Sequence, residues 1–201
     1  MKGYIISFIL LGPLSGFGQM KSHDWSIGGT YSYVQFQEFK PKNAFGVTGE
    51  YMFSKRWSVE FSVAGGKDYF EFGTGGIFFP LGLLLSKTSR YGDDSDKGLL
   101  LLLMAVACAF EHTNYHIPLS SNLELIPYVS ILRIRYIYDN EHPYNQNTFP
   151  SWSIGTKLRL YTKNNWYFST TVEGGQFYYP GVPKGLQAGV DIGYIIKSRI
   201  E

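Results

Sequence analysis

The feature that most constrains this chain is a period-two alternation, repeated through successive segments of about ten residues. In Arg56–Gly66, Trp57, Val59, Phe61 and Val63 fall on one side, with Ser58, Glu60, Ser62 and Ala64 on the other. Ala44–Phe53 sets Phe45, Val47, Tyr51 and Phe53 against Ala44, Gly46, Thr48 and Glu50. Only Ser54-Lys55 separates the two segments, which predicts a hairpin with a tight turn. The pattern returns in Ser151–Tyr161, Trp166–Tyr178 and Leu186–Lys197, and less cleanly in Trp25–Phe36. Alternation of this kind commits a segment to a strand with two chemically different faces.

Asn122–Tyr138 alternates too, but its phase slips. Leu123, Leu125, Val129 and Ile131 share a face that Leu132, Ile134, Tyr136 and Tyr138 then continue, so one extra residue near Ile131-Leu132 predicts a β-bulge. The polar faces carry the acids Glu50, Glu60, Glu124, Glu173 and Asp191 and the bases Arg133, Arg135, Lys157 and Arg159. The opposite faces are almost uniformly apolar or aromatic, and most of their strands open or close on Trp or Tyr. A soluble antiparallel β protein would account for the polar faces alone. A lipid-facing band with aromatic girdles around a polar interior accounts for both. The expected fold is therefore all-β: a closed, antiparallel, up-and-down transmembrane β-barrel.

Strands at Trp25–Phe36, Ala44–Phe53, Arg56–Gly66, Phe110–Pro118, Asn122–Tyr138, Ser151–Tyr161, Trp166–Tyr178 and Leu186–Lys197 make eight, with both ends on one side. Short turns at 54–55, 120–122 and 163–165 share the side of the termini, and the longer connections lie on the other side. That asymmetry is expected of short periplasmic turns and long outer loops. The longest connection is an insertion at 67–109, which holds two apolar runs. The second, Leu99–Phe110, is too short to span a bilayer as a helix and lacks period two. It is read as part of a short apolar helical hairpin. Two further strands, making ten, are the alternative.

The N-terminus has the layout of a secretory signal peptide. Lys2 precedes the apolar Tyr4–Leu11, Gly12-Pro13 breaks it, and the small Gly16 and Gly18 stand just ahead of a cut before Gln19. Residues 1–18 are thus expected to be removed, leaving 19–201 as one barrel domain. Aromatics make up 17% of the chain, beside 23 Gly and 17% charged residues. In an exported protein, that mixture suits barrel walls, where Gly permits curvature and close strand contact. Cys108 is the sole cysteine, so no internal disulfide forms. The formal charge of +2 argues against nucleic acid as a partner. The expected location is the outer membrane of a Gram-negative bacterium. The expected partners are outer-membrane lipid, lipopolysaccharide and the insertion machinery, with the chain a monomer.

The chain resembles the small outer-membrane barrels of the OmpA/OmpX kind, and in particular compact barrels of Bacteroidetes-type bacteria. His112–Tyr136 (HTNYHIPLSSNLELIPYVSILRIRY) carries most of the likeness, as two strands around a polar turn. The chain departs from such barrels at its end: they often finish on an aromatic residue, whereas here the nearest to the terminus is Tyr194.

Three functions compete. An eight-stranded barrel has a lumen just wide enough for side chains to fill. Five acids and four bases inside it must pair at low dielectric, and that predicts a closed, non-enzymatic barrel with a structural, envelope-maintenance or surface-binding role. A lipid-modifying enzyme would draw on His112, His116 and Ser120. A narrow channel would need the charges to leave a path. No cofactor is expected. His112 and His116, about 13 Å apart along a strand, are too far apart to share a metal ion.

Overall fold

The computed structural model describes residues 19–37, 39–73, 111–138, 148–178 and 184–198, apart from the side chains of 148 and 149. Residues 1–18 and 74–110 lie outside this set, and with them the expected signal segment and both apolar runs. The described residues form ten strand segments: β1 Trp25–Phe36, β2 Lys42–Met52, β3 Trp57–Gly66, β4 Tyr69–Gly73, β5 His112–Tyr115, β6 Ile117–Pro118, β7 Leu123–Ile137, β8 Thr148–Tyr161, β9 Trp166–Phe177 and β10 Lys184–Ile196. All pairings are antiparallel. β1 pairs with β10 over its whole length, from Trp25 opposite Ile196 to Phe36 opposite Gly185, and that pairing closes the sheet into a barrel.

Ten segments fill eight wall positions because β4, β5 and β6 share one. Each lies against β7, and β4 and β5 also lie against β3. Gly73, the last residue of β4, stands opposite Ser62, and Thr113 stands opposite Val59. Glu111 and His112 therefore continue the wall directly where Gly73 leaves it. The expected insertion at 67–109 begins later than its polar and apolar content implied. Lys67 and Asp68 form a tight turn, with Asp68 at φ 60, and Tyr69–Gly73 runs back down the wall. The described chain thus leaves the wall after Gly73 and rejoins it at Glu111 within one wall position.

The bulge predicted at Ile131-Leu132 lies beside that splice. Ser130 pairs with Ser153 and Arg133 with Ser151, so β7 advances one residue more than β8. Both extra-side residues point outward, and the Ile131 N–H donates to the Glu111 carbonyl at 2.7 Å. The backbone of the returning chain is thereby paired at the point where the ladder is irregular, as a wall facing lipid requires.

The ends of the barrel differ. Turns at 53–56, 119–122 and 162–165 lie at the end that carries both chain ends. There Gln19–Asp24 folds under the wall, held by Asp24, whose carboxylate accepts from the Lys21 and Ser198 N–H groups (2.8 and 2.9 Å) and from Lys197 Nζ (3.2 Å). The opposite end holds the turn at Lys67-Asp68, the last residues of β1, β7 and β9 and the first residues of β2, β8 and β10.

Candidate functional site: a charge-paired lumen

Alternation puts the two faces where the physics demands. Outside stand Ile27, Val47, Ile154, Leu158, Val172, Val190 and Ile192, all exposed. Around the terminal end runs a belt of aromatic pairs: Trp25 with Tyr51 (4.5 Å between ring centres), Trp57 with Tyr115 (4.7 Å) and Trp166 with Tyr194 (5.5 Å). An apolar exterior of this extent, bounded by amphipathic rings, is stable against acyl chains and unstable against water. No described helix is long and apolar enough to cross a membrane, and it is the strands that have the length to do so.

Inside, the sequence-expected acids Glu50, Glu60, Glu124 and Glu173 and the bases Arg133, Arg135, Lys157 and Arg159 are each no more than 5% exposed. Asp191 is half-buried and accepts from Ser169 Oγ (2.8 Å) and Thr171 Oγ1 (3.3 Å). The charges sort into three tiers.

Nearest the chain ends, Arg159 Nη1 donates to Glu50 (2.6 Å), and its guanidinium lies 4.3 Å above the Tyr167 ring. His116 bridges Glu50 (3.1 Å) and Glu124 (2.9 Å), one ring nitrogen to each, while Tyr161 donates to Glu124 at 2.6 Å. In the middle, Lys157 pairs with Glu60. The ring of His112 stacks on Tyr128 with centres 4.6 Å apart.

Toward the loop end, Glu173 accepts from Arg133 Nη1 (3.0 Å), Arg135 Nη2 (2.6 Å) and the Tyr128 hydroxyl (2.8 Å). The same two arginines flank Glu71, which also accepts from Tyr69 (2.8 Å) and Gln187 (3.1 Å). Every carboxylate in these tiers thus has several donors, the arrangement that makes buried charge tolerable.

Two of these placements were not legible in the sequence. Lys157 stands opposite Thr171, two residues from Glu173 on β9, yet it reaches across the lumen to Glu60 on β3, a pairing that alternation alone does not give. Glu71 was assigned to the insertion, although its segment, Tyr-Phe-Glu-Phe-Gly, already alternates inward Tyr69 and Glu71 with outward Phe70 and Phe72.

Lumen-facing glycines make room for the tyrosines. A Cβ on Gly155 would overlap the Tyr128 ring, and one on Gly193 would overlap the Tyr167 ring. Apolar clusters close the column at both ends: Met20, Met52, Tyr161, Tyr167 and Ile195 at the chain-end side, and Val34, Phe36, Phe39, Ala44, Ala64, Tyr69, Ile137 and Phe177 at the loop side. Between them a chamber of about 40 Å³ is lined by Glu60, His112, Arg133, Lys157 and Asp191 among others. That is room for a few water molecules.

The residues weighed for catalysis do not converge as a set. Ser120 lies in the exposed turn and donates to Asn122 at 2.7 Å, outside the lumen. His112 and His116 belong to different tiers. A residue not singled out in the sequence, Ser58, does lie 2.9 Å from His116 Nε2, with Glu124 on the opposite ring nitrogen. The order serine–histidine–carboxylate resembles a hydrolase relay. Two features set it apart. The Ser58 hydroxyl donates to Glu50 at 2.5 Å, and both nitrogens of His116 face carboxylates, so the ring is a donor on each side and no base is left for the serine. Ser58 is also wholly buried and borders no cavity given above. Among the described residues no group of three or more His, Cys, Asp and Glu is placed to hold a metal ion.

No protein family and no curated relative matches the chain. Among solved structures it is similar to the N-terminal β-barrel domain of Pseudomonas aeruginosa OprF, at 10% identity and TM-score 0.48, over 84% of this chain and 97% of that one. It is also similar to the outer membrane protein OprG of the same organism (12%, TM-score 0.47, 92% and 100%). A third likeness is to Ail, the attachment invasion locus protein of Yersinia pestis (12%, TM-score 0.43, 88% and 100%). The closure of the present barrel stands on its own strand pairing.

Proposed function

We propose that the chain is an integral outer-membrane β-barrel of a Gram-negative bacterium, non-enzymatic, with a structural, envelope-maintenance or surface-binding role. The observation that carries this reading is the filled lumen: among the described residues, three tiers of paired charges pack between two apolar caps, and Ser58, beside His116, is wholly buried. An apolar, aromatic-belted exterior supports residence in a bilayer, and the signal-like residues 1–18 support export. Recognition of partners falls to the loop end. Outer-membrane lipid, lipopolysaccharide and the insertion machinery are the proposed partners of a monomer. The narrower likeness to Bacteroidetes-type barrels rests mostly on the His112–Tyr136 stretch.

Cell fractionation tests the core of this reading. The protein is expected in the outer membrane, with gel mobility that shifts on heating, and recovery as a soluble periplasmic protein overturns it. Lipid A mass spectra from cells with and without the protein are expected to be identical. A change in acylation that depends on the protein would establish the enzymatic alternative.

A further inference from the structure

Most outward positions of the wall carry a bulky side chain, with Gly29 and Gly174 among the exceptions. β9 departs from this at Gly174, which stands between Ile154 of β8 and Leu186 of β10. A Cβ there would touch just the tip of Leu186, at 3.8 Å. The row above, toward the loop end, is Trp152, Gln176 and Lys184, and Gln37 continues it, its N–H donating to the Lys184 carbonyl at 3.1 Å. Gly174 lies on the floor of a trough of about 940 Å³ in the wall. Its sides are Ile154 and Leu186, 62% and 67% exposed, with the Gln35 amide beside Leu186 in the same row, and its upper rim is Lys184, Gln176, Gln37 and Trp152. Lys184 makes no ion pair among the described residues.

We propose that this trough is a binding site for lipopolysaccharide, with an acyl chain over Gly174 and a lipid A phosphate on Lys184. The inference rests on the outer-membrane reading, with the loop end outward. An occupant must be apolar where it meets Ile154, Gly174 and Leu186, and anionic and hydrogen-bonding where it meets Lys184, Gln176 and Gln37. Those two requirements lie in that order along the membrane normal, as in a phosphorylated lipid whose chains point toward the bilayer centre. The trough lies in the third of β9 next to the loops, at the depth of the outer leaflet, and there that lipid is lipopolysaccharide. A protein partner is disfavoured because the wall at this depth meets acyl chains.

The test is lipid retention by the purified full-length barrel in detergent, measured by native mass spectrometry after incubation with lipopolysaccharide or, separately, with phosphatidylglycerol. The wild type is expected to retain one lipopolysaccharide in preference to phosphatidylglycerol. Gly174→Phe, which sets a ring on the floor of the trough where the acyl chain would lie, should abolish that preference. Lys184→Gln should lower retention about fivefold, the value of one basic residue at an anionic lipid surface. Lys184 is exposed, so this variant remains informative if Gly174→Phe fails to fold. Equal retention by wild type and Lys184→Gln, or equal retention of the two lipids by wild type, overturns the proposal. Heat-modifiable mobility of each variant reports the barrel separately, so loss of the barrel reading and loss of the lipid site give different results.

Discussion

Lys157 of β8 meets Glu60 of β3 across the lumen, three strands away around the wall through β7 and the β4–β6 position. Both side chains are buried, and the ammonium also lies 5.2 Å from the centre of the Tyr128 ring. Lys157→Met leaves Glu60 with only Asn114 Nδ2 at 3.5 Å and His112 Nε2 at 3.8 Å. An uncompensated buried carboxylate costs about 3–5 kcal/mol, and that loss is expected in the urea midpoint of the refolded barrel. The same change at Lys163, in the exposed 162–165 turn, should stay within about 0.5 kcal/mol. Adding Glu60→Gln to Lys157→Met should recover part of the loss, giving a coupling above about 1 kcal/mol. Strict additivity would mean the two charges do not meet.

Gly155 and Tyr128 supply a second test. Gly155→Ala pushes a methyl into the ring that donates to Glu173, and overpacking of this kind costs about 1–3 kcal/mol. Gly29 is the control, because a Cβ there meets just the Gly46 carbonyl, at 3.9 Å. Gly29→Ala should change the thermal midpoint little. Equal effects at the two glycines would show that Tyr128 does not pack on β8.

The closed lumen predicts silence in planar bilayers. Arg135, 1% exposed, is held by Glu173 and Ser151 and lies 5.5 Å from the centre of the Phe36 ring, so the loop-side cap and the upper charge tier are joined. No discrete conductance steps are expected from the purified barrel at moderate voltage. Reproducible single-channel openings would establish the narrow-channel alternative.

Topology is testable in intact cells. Labels placed within 145–147 should be reachable from outside, and labels at Lys163–Asn165 should not. The reverse pattern would turn the barrel over and would also move the trough at Gly174 into the inner leaflet.

What the sequence determined by itself was everything that depends on one strand at a time. Period two decides which face of each strand is apolar, so the outward Trp57, Val59 and Phe61 and the inward Ser58 and Glu60 could be assigned without coordinates. A phase slip is likewise local, and it located the bulge at Ile131-Leu132. Only the tertiary structure decided what meets across the lumen. Lys157 finds Glu60 and not Glu173 because the stagger of the closed wall sets relative heights on distant strands, and no periodicity encodes that stagger. The same holds for Gly73 and Glu111. They are far apart in the chain and neighbours in one wall position, because pairing with β3 and β7 places Gly73 and a hydrogen bond from Ile131 of β7 places Glu111, and the sequence between them does not.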